Sequence, residues 1–149
     1  MHMTVLVPAH NEEKVISSTI ESLLNQTALP HQIIVVADNC TDKTVELAKR
    51  YENVTVFETV DNKNKKAGAL NQVLSSMPLS EFVLIMDADT ILEDTALEIG
   101  LNTFKENPNL GAVCSKAGVL ERYEGLSYPE KMLHSLQNIE YAQFDSHRI

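Results

Sequence analysis

The chain has 149 residues, of which 44% are hydrophobic and 22% are charged, and its 21 acidic and 12 basic residues give a formal net charge of -9. This composition fits one foldable globular domain and excludes a disordered or fibrous chain. The acidic balance argues against non-specific attraction to nucleic acid or to anionic membranes. A phosphate ligand would therefore need local backbone amides, a few cations or a metal ion.

The two cysteines, Cys40 and Cys114, are too few and too far apart for a zinc pattern or a disulfide framework, so we expect reduced thiols. The longest apolar runs, 33–37 and 82–86, are far shorter than the roughly 20 residues that cross a bilayer. The N-terminus shows no signal peptide. We therefore expect no membrane segment in this chain and a cytoplasmic location, although a longer parent protein could be membrane-associated.

Five segments are predicted to be strands. Continuous apolar runs at residues 5–7, 33–37 and 82–86 are typical of buried parallel strands. The last of these runs is the most apolar and is predicted to lie at the centre of the sheet. Residues 54–58 alternate with a period of two, which indicates an outer and less buried strand. A fifth strand is predicted over residues 111–119.

Apolar residues at helical spacing separate these strands. Thr41 is the expected N-cap of the second helix, and Pro78 is expected to end the third. Helices are predicted at about residues 12–25, 41–51, 67–77, 97–104 and from 127 onward.

The alternation of strand and helix predicts an α/β fold in which a mostly parallel sheet carries helices on both faces. In such sheets ligands bind beyond the carboxyl ends of the strands. These ends are polar or acidic here, at residues 8–12 after the first strand, 38–42 after the second and 87–89 after the fourth. We therefore expect a ligand site at this edge of the sheet.

The segment after the fourth strand suggests metal chemistry. Asp87 and Asp89 can direct carboxylate oxygens toward one hard cation, and the small Ala88 between them leaves space. Such a cation bridges the oxygens of a diphosphate and supplies positive charge that an acidic chain lacks. A solvated acidic loop that helps to start the next helix is the alternative explanation.

Two other positions suggest a nucleotide. Asp38 follows the second strand, where its carboxylate can accept a hydrogen bond from a base or ribose, although turns also favour aspartate. Lys66 and Gly68 lie at the start of the third helix, where a cation and backbone amides suit phosphate oxygens. Lys63 and Lys65 are more simply explained as parts of a solvated basic loop.

Together these segments resemble the inverting glycosyltransferases of family 2, which have a Rossmann-like GT-A fold and transfer a sugar from a nucleotide diphosphate donor. The matching motifs occur in the family's order, at residues 5–12, 33–42, 66–71 and 84–89. The resemblance covers most of residues 3–119. It implies that residues 1–149 form a single GT-A-like nucleotide-sugar-binding domain, truncated relative to full-length relatives and without their acceptor part.

The resemblance also implies roles for individual residues. Asp38 is expected to contact the base, although residues 38–42 depart from the family's common doubled aspartate. Asp89 and Asp87 are expected to bind Mg²⁺ or Mn²⁺, and the flat ring of His10 replaces an aromatic residue frequent in the family. The implied donor-binding residues are Pro8, Ala9, His10, Glu12, Asp38, Lys66, Gly68, Asn71, Asp87, Ala88 and Asp89.

The implied reaction is metal-assisted transfer with inversion to an unknown acceptor, and UDP is the default nucleotide from the resemblance alone. Inversion needs a carboxylate base for the acceptor hydroxyl. No segment after residue 118 matches the family's base, and helix solvation explains the possible substitutes Glu121, Glu124, Glu130 and Glu140. The alternative is a non-catalytic nucleotide-sugar-binding module that lacks this base.

Two other classes of protein fit the sequence less well. A receiver-type signalling domain needs paired acids directly after the first strand, and a sugar nucleotidyltransferase needs a glycine-rich loop there. Residues 8–10 of this chain are Pro-Ala-His and supply neither.

Overall fold

A computed structural model describes residues 1–115 of the chain. Met1–Asn109 forms one compact unit, and a second unit begins at Leu110. The described part of this second unit contains no helix or strand, so the strand predicted over 111–119 is wrong for residues 111–115, which are exposed and pair with no described strand. The tail helix and the four glutamates considered as a base lie outside the described residues.

Strands and helices alternate through the first unit, as the sequence predicts. The first helix begins at Ile16 and not near Glu12, and residues 13–15 form a turn before it in which the Glu12 carbonyl accepts the N–H groups of Val15 and Ile16. None of the described helices is long and apolar enough to cross a membrane. The elements are β1 (Met3–Ala9), α1 (Ile16–Leu24), β2 (Gln32–Ala37), α2 (Thr44–Ala48), β3 (Val54–Glu58), α3 (Lys65–Ser76), β4 (Phe82–Ile85) and α4 (Ala96–Glu106).

The described strands form one parallel sheet in the order β3-β2-β1-β4. The outer position predicted for β3 is confirmed. The central position predicted for β4 is wrong within the described sheet, because β4 pairs with β1 alone and β1 and β2 form the centre. Val83 and Ile85 of β4 are 41% and 48% exposed, so an apolar run does not by itself indicate a central strand.

The two faces of the sheet are covered by different helices, as predicted. Val5 and Val7 of β1 point to a core that includes buried residues of α1, α2 and α4. Leu6 points the other way, to a smaller core with Ala69 and Val73 of α3. Because successive side chains of a strand point to opposite faces, both surfaces of the central strands are buried and their carboxyl ends are held in place.

Candidate functional site

A cleft of about 480 Å³ lies at the carboxyl ends of β1 and β2. Parallel pairing sets Ala9 beside Ala37, so the residues that follow both strands open onto the same edge of the sheet. The cleft brings together six of the predicted donor-binding residues, although they come from three separate segments. Its lining residues are Pro8, Ala9, His10, Glu12, Asp38, Asn39, Asn62, Lys63, Lys65 and Lys66.

The loops after β1 and β2, which both line this cleft, are hydrogen-bonded to each other. Asn11 and Asn39 both have left-handed backbones, with φ of 58° and 49°, which asparagine tolerates better than most residues. The Asn11 side-chain oxygen accepts the Thr41 N–H at 2.7 Å, and the Glu12 N–H donates to the Thr44 hydroxyl at 2.7 Å. These bonds therefore hold the two loops in one fixed arrangement at the cleft.

The start of α2 is organised by Asp42 and not by the predicted N-cap Thr41. Asp42 accepts the Thr44 N–H at 2.9 Å and hydroxyl at 2.6 Å, and also the Glu13 N–H at 3.0 Å. Thr41 is engaged instead by Asn11. Desolvation acts to raise the pKa of Asp42, but hydrogen bonds from Thr44 and Glu13 outweigh it and lower the pKa below its ordinary value.

Cys40 lies in the same loop as an uncharged hydrogen-bond donor. Its thiol donates to the Ala9 carbonyl at 3.4 Å. Desolvation, together with the negative charge of Asp42, raises the pKa of Cys40 above its ordinary value. A protonated thiol is a poor nucleophile, so Cys40 contributes to the shape of the loop and not to a covalent step.

The side chain of Asp38 accepts three hydrogen bonds in the cleft, and the residue is only 8% exposed. Its Oδ1 accepts hydrogen bonds from Thr59 Oγ1 at 2.8 Å, Asn62 Nδ2 at 2.8 Å and Asn39 Nδ2 at 3.0 Å. Nδ1–H of His10 donates to the Asp38 carbonyl at 2.6 Å, since a carbonyl can only accept. This bond fixes the orientation of the ring.

The segment before and at the start of α3 forms the cationic wall of the cleft. Lys63 and Lys65 line it together with Lys66, and all three are exposed, so the interpretation of the first two as parts of a solvated basic loop stays open. Lys65 has a left-handed backbone with φ of 51°. Asn39 and Asn62 were missed by the sequence analysis, because nothing local distinguishes them from the other amides of these polar loops.

Gly68 and Asn71 do not line the cleft. Both face a second cavity, of about 520 Å³, on the other side of the loop at residues 61–64. A Cβ added at Gly68 would lie 2.0 Å from Asn62 Oδ1 and 2.7 Å from Asn64 Cβ. The structure therefore explains this glycine by the close approach of the loop, and not by direct contact with a ligand in the cleft.

Asp87, Ala88 and Asp89 follow β4 outside the lining of the cleft. Ala88 is buried and its carbonyl accepts the Thr19 hydroxyl at 2.5 Å, so both acidic side chains are directed to solvent. Asp87 forms an ion pair with Lys66, which connects this segment to the cleft.

The carboxylate oxygens of Asp87 and Asp89 suit a metal ion whose remaining coordination positions are filled by a bound ligand. Within residues 1–115 no group of three acidic, histidine or cysteine side chains could hold a metal. Mg²⁺, however, keeps several waters and binds through one or two carboxylates plus substrate phosphates. Exposed Asp87 and Asp89 therefore fit a divalent cation whose coordination includes a diphosphate.

The segment after Asp89 is attached to α1 by Gln26, another residue that the sequence analysis missed. The buried Gln26 amide donates to the Ser22 carbonyl at 3.0 Å and to the Glu93 carbonyl at 2.8 Å. Its oxygen accepts the Leu97 N–H at 3.0 Å. This side chain therefore connects the end of α1 to the loop before α4 and to the first turn of α4.

Comparison with known proteins agrees with this architecture. Residues 4–144 match the family model described as glycosyl transferase family 2. The chain belongs to this family, and the predicted family membership is confirmed. Over 142 residues it is 30% identical to the poly-β-1,6-N-acetyl-D-glucosamine synthase of Staphylococcus epidermidis, an alignment that covers 94% of this chain and 32% of that protein. The chain thus spans about a third of the length of this relative.

Solved structures show the same fold. S. aureus TarS 1–349 in complex with UDP-GlcNAc has a TM-score of 0.65 and 26% identity, over 78% of this chain and 38% of that one. The mannosyltransferase PcManGT from Pyrobaculum calidifontis, in complex with GDP-Man and Mn²⁺, has a TM-score of 0.62 and 26% identity, over 69% and 32%. The Rossmann-like GT-A fold, with a parallel sheet and helices on both faces, is confirmed.

Proposed function

We propose that this chain binds a nucleotide diphosphate sugar and is the donor-binding part of an inverting glycosyltransferase. The observation that carries the proposal is the cleft, where residues after β1, after β2 and at the start of α3 converge on one edge of the sheet. The relatives support an enzyme over a non-catalytic binding module, because those named above include a synthase and a mannosyltransferase. UDP-GlcNAc is the first donor to test, since TarS was solved with it.

The nucleoside end of the donor lies against His10 and Asp38 in this proposal. The His10 ring is exposed at the cleft and oriented by its bond to the Asp38 carbonyl, so its face can stack on a base. Within residues 1–115 no group donates to Asp38 Oδ2, while Oδ1 is occupied by three donors. Oδ2 is therefore the oxygen that accepts a base N–H.

The diphosphate end lies against the lysine-rich wall. Lys63, Lys65 and Lys66 place three cations around the cleft of a chain whose formal charge is -9. This local concentration of positive charge supplies what the overall composition lacks. Lys66 is also ion-paired with Asp87, so the phosphate-binding wall and the acidic segment are adjacent.

Asp89 and Asp87 are the residues that would hold Mg²⁺ or Mn²⁺. Within residues 1–115 Asp89 has no ion-pair partner, so its carboxylate is available. A bound divalent cation supplies positive charge that stabilises the departing diphosphate. PcManGT, solved with Mn²⁺, supports the choice of cation.

The proposal is tested by calorimetric titration of the whole chain with UDP, UDP-GlcNAc, GDP and GDP-mannose, each with Mn²⁺ and with EDTA. We expect binding of the uridine compounds that Mn²⁺ strengthens. Asp89→Asn should abolish the metal-dependent part, whereas Asp94→Asn, which removes the same charge from the same exposed loop, should not. Absence of binding to every nucleotide would overturn the proposal, and equal metal dependence in both variants would overturn the role of Asp89.

A further inference from the structure

Asn62 is held in a single orientation by its own hydrogen bonds. Its Nδ2 donates to Asp38 Oδ1 and to the Lys65 carbonyl, both at 2.8 Å, and its Oδ1 accepts the Asn64 N–H at 3.0 Å. Exchanging the amide nitrogen and oxygen would turn all three bonds into repulsions between like groups. Chemistry therefore determines which atom of Asn62 faces Asp38.

The same contact constrains the Asp38 carboxylate. An oxygen with two lone pairs is saturated by the three donors that Oδ1 receives. Asn62 takes part twice, since its backbone carbonyl also accepts Asn39 Nδ2 at 3.1 Å and so positions a second donor to the same oxygen. Rotation of the carboxylate would break these bonds at a largely buried site.

We propose that Asn62 is a positioning residue for base selection: by holding Oδ1 of Asp38 it presents Oδ2 to the N3–H of uracil, and so sets a preference for uridine over cytidine nucleotides. The inference rests on the proposed function. Cytosine has an unprotonated N3 at the same position, which repels a carboxylate oxygen. A freely rotating carboxylate would discriminate less between these bases, because it can turn away from N3.

The measurement is the ratio of the Kd for CDP to the Kd for UDP, determined by calorimetry on the whole chain with Mn²⁺ present. Asn62→Asp keeps the size of the side chain and an acceptor for the Asn64 N–H but cannot donate to Asp38. Asn62→Ala removes the contact altogether. In both variants we expect the ratio to fall about tenfold, chiefly through weaker UDP binding, because a hydrogen bond to a charged group is lost.

Asn64→Ala is the matched control. Asn64 lies in the same loop and carries the same amide, but its side chain makes no capping hydrogen bond to α3 and Asn64 is not among the residues that line the cleft. In Asn64→Ala the ratio of the Kd for CDP to the Kd for UDP should equal that of the wild type. The melting temperature of each variant, measured in parallel, shows whether the fold is intact.

The outcomes separate the two proposals. If the wild type binds neither nucleotide, the donor-binding function itself fails. If the wild type prefers UDP and both Asn62 variants keep that preference while folded, the donor-binding function stands and the role of Asn62 is refuted. The role of Asn62 is also refuted if the ratio falls equally in Asn64→Ala. The preference for UDP would then depend on the loop as a whole and not on the Asn62 amide. Should Asn62→Ala not fold, the isosteric Asn62→Asp alone decides.

Discussion

Replacing Gly68 by alanine tests whether this glycine is there to admit the Asn62 side chain. Gly68 lies inside α3, and alanine favours a helix interior by about 0.5–1 kcal/mol relative to glycine. The added Cβ, however, would lie 2.0 Å from Asn62 Oδ1 and 2.7 Å from Asn64 Cβ. The two effects oppose each other, so the sign of the change in stability is informative.

The steric contact with Asn62 costs more free energy than the higher helix propensity of alanine contributes. A separation of 2.0 Å is not tolerated, so the Asn62 side chain must move. Its displacement breaks three hydrogen bonds, to Asp38, to the Lys65 carbonyl and from the Asn64 N–H. At about 1 kcal/mol for each bond, less the gain in propensity, we expect Gly68→Ala to reduce the free energy of unfolding by about 2 kcal/mol.

Urea unfolding followed by far-ultraviolet circular dichroism measures this change, and Gly100→Ala is the matched control. Gly100 also lies within a helix, α4, but a Cβ there would meet no atom of residues 1–115 within 4 Å. Alanine at this position should stabilise the protein by about 0.5–1 kcal/mol. The two substitutions are chemically identical and are expected to change stability in opposite directions.

A double variant identifies the contact responsible. In Asn62→Ala the clashing oxygen and its three hydrogen bonds are absent, so the additional cost of Gly68→Ala should be smaller by about 3 kcal/mol and limited to the contact with Asn64. The reasoning is refuted if Gly68→Ala stabilises the protein as Gly100→Ala does. Additive effects of the two substitutions would also refute it, since they would mean that Asn62 and Gly68 do not interact.

Three further predictions follow from the same structure. Gln26→Leu leaves three backbone groups without their partner and should reduce the free energy of unfolding by about 2–4 kcal/mol in a urea titration; a loss below about 0.5 kcal/mol would contradict the anchoring role. Because hydrogen bonds from Thr44 and the loop before α1 hold the pKa of Asp42 below its ordinary 3.8, ionised Asp42 stabilises the fold above that pH and this stabilisation is lost as the pH falls through the folded-state value. The stability difference between wild type and Asp42→Asn should therefore shrink below about pH 4, and a constant difference would argue against it. Lys66→Met removes an ion pair whose side chains are 52% and 60% exposed, so stability should change by less than about 1 kcal/mol while UDP binding weakens about tenfold; unchanged UDP affinity would exclude contact between Lys66 and the nucleotide.

The features that the sequence predicted correctly depend either on the pattern of residues within one segment or on the common direction of parallel strands. Apolar runs predict the strands, and apolar residues at helical spacing predict the helices. Successive side chains of β1 point to opposite faces of the sheet, so its continuous apolar run predicts that helices cover both faces. Parallel strands end at one edge, so residues far apart in sequence, such as His10, Asp38 and Lys66, were expected at a common site and line one cleft.

The features that were missed depend on pairing between distant segments. The apolar run of β4 resembles that of a central strand, but the order of strands is set by their partners, and β4 pairs with β1 alone in the described sheet. Thr41 and Asp42 are both good N-cap residues. The sequence does not show that the Asn11 side chain, from a distant segment, accepts the Thr41 N–H. Asp42 and not Thr41 then accepts the Thr44 N–H at the start of α2.

The segment from Asn62 to Gly68 connects the two ends of the proposed donor site. Asn62 bonds to Asp38 at the base end, and Lys66 bonds to Asp87 at the end expected to hold the diphosphate and metal. Between them Lys65 has a left-handed backbone that costs about 1–2 kcal/mol, and its carbonyl accepts an Asn62 hydrogen bond that helps to offset this cost. Releasing Asn62 therefore frees a strained residue next to Lys66, so Asn62 variants should disturb the lysine-rich wall as well as the base contact.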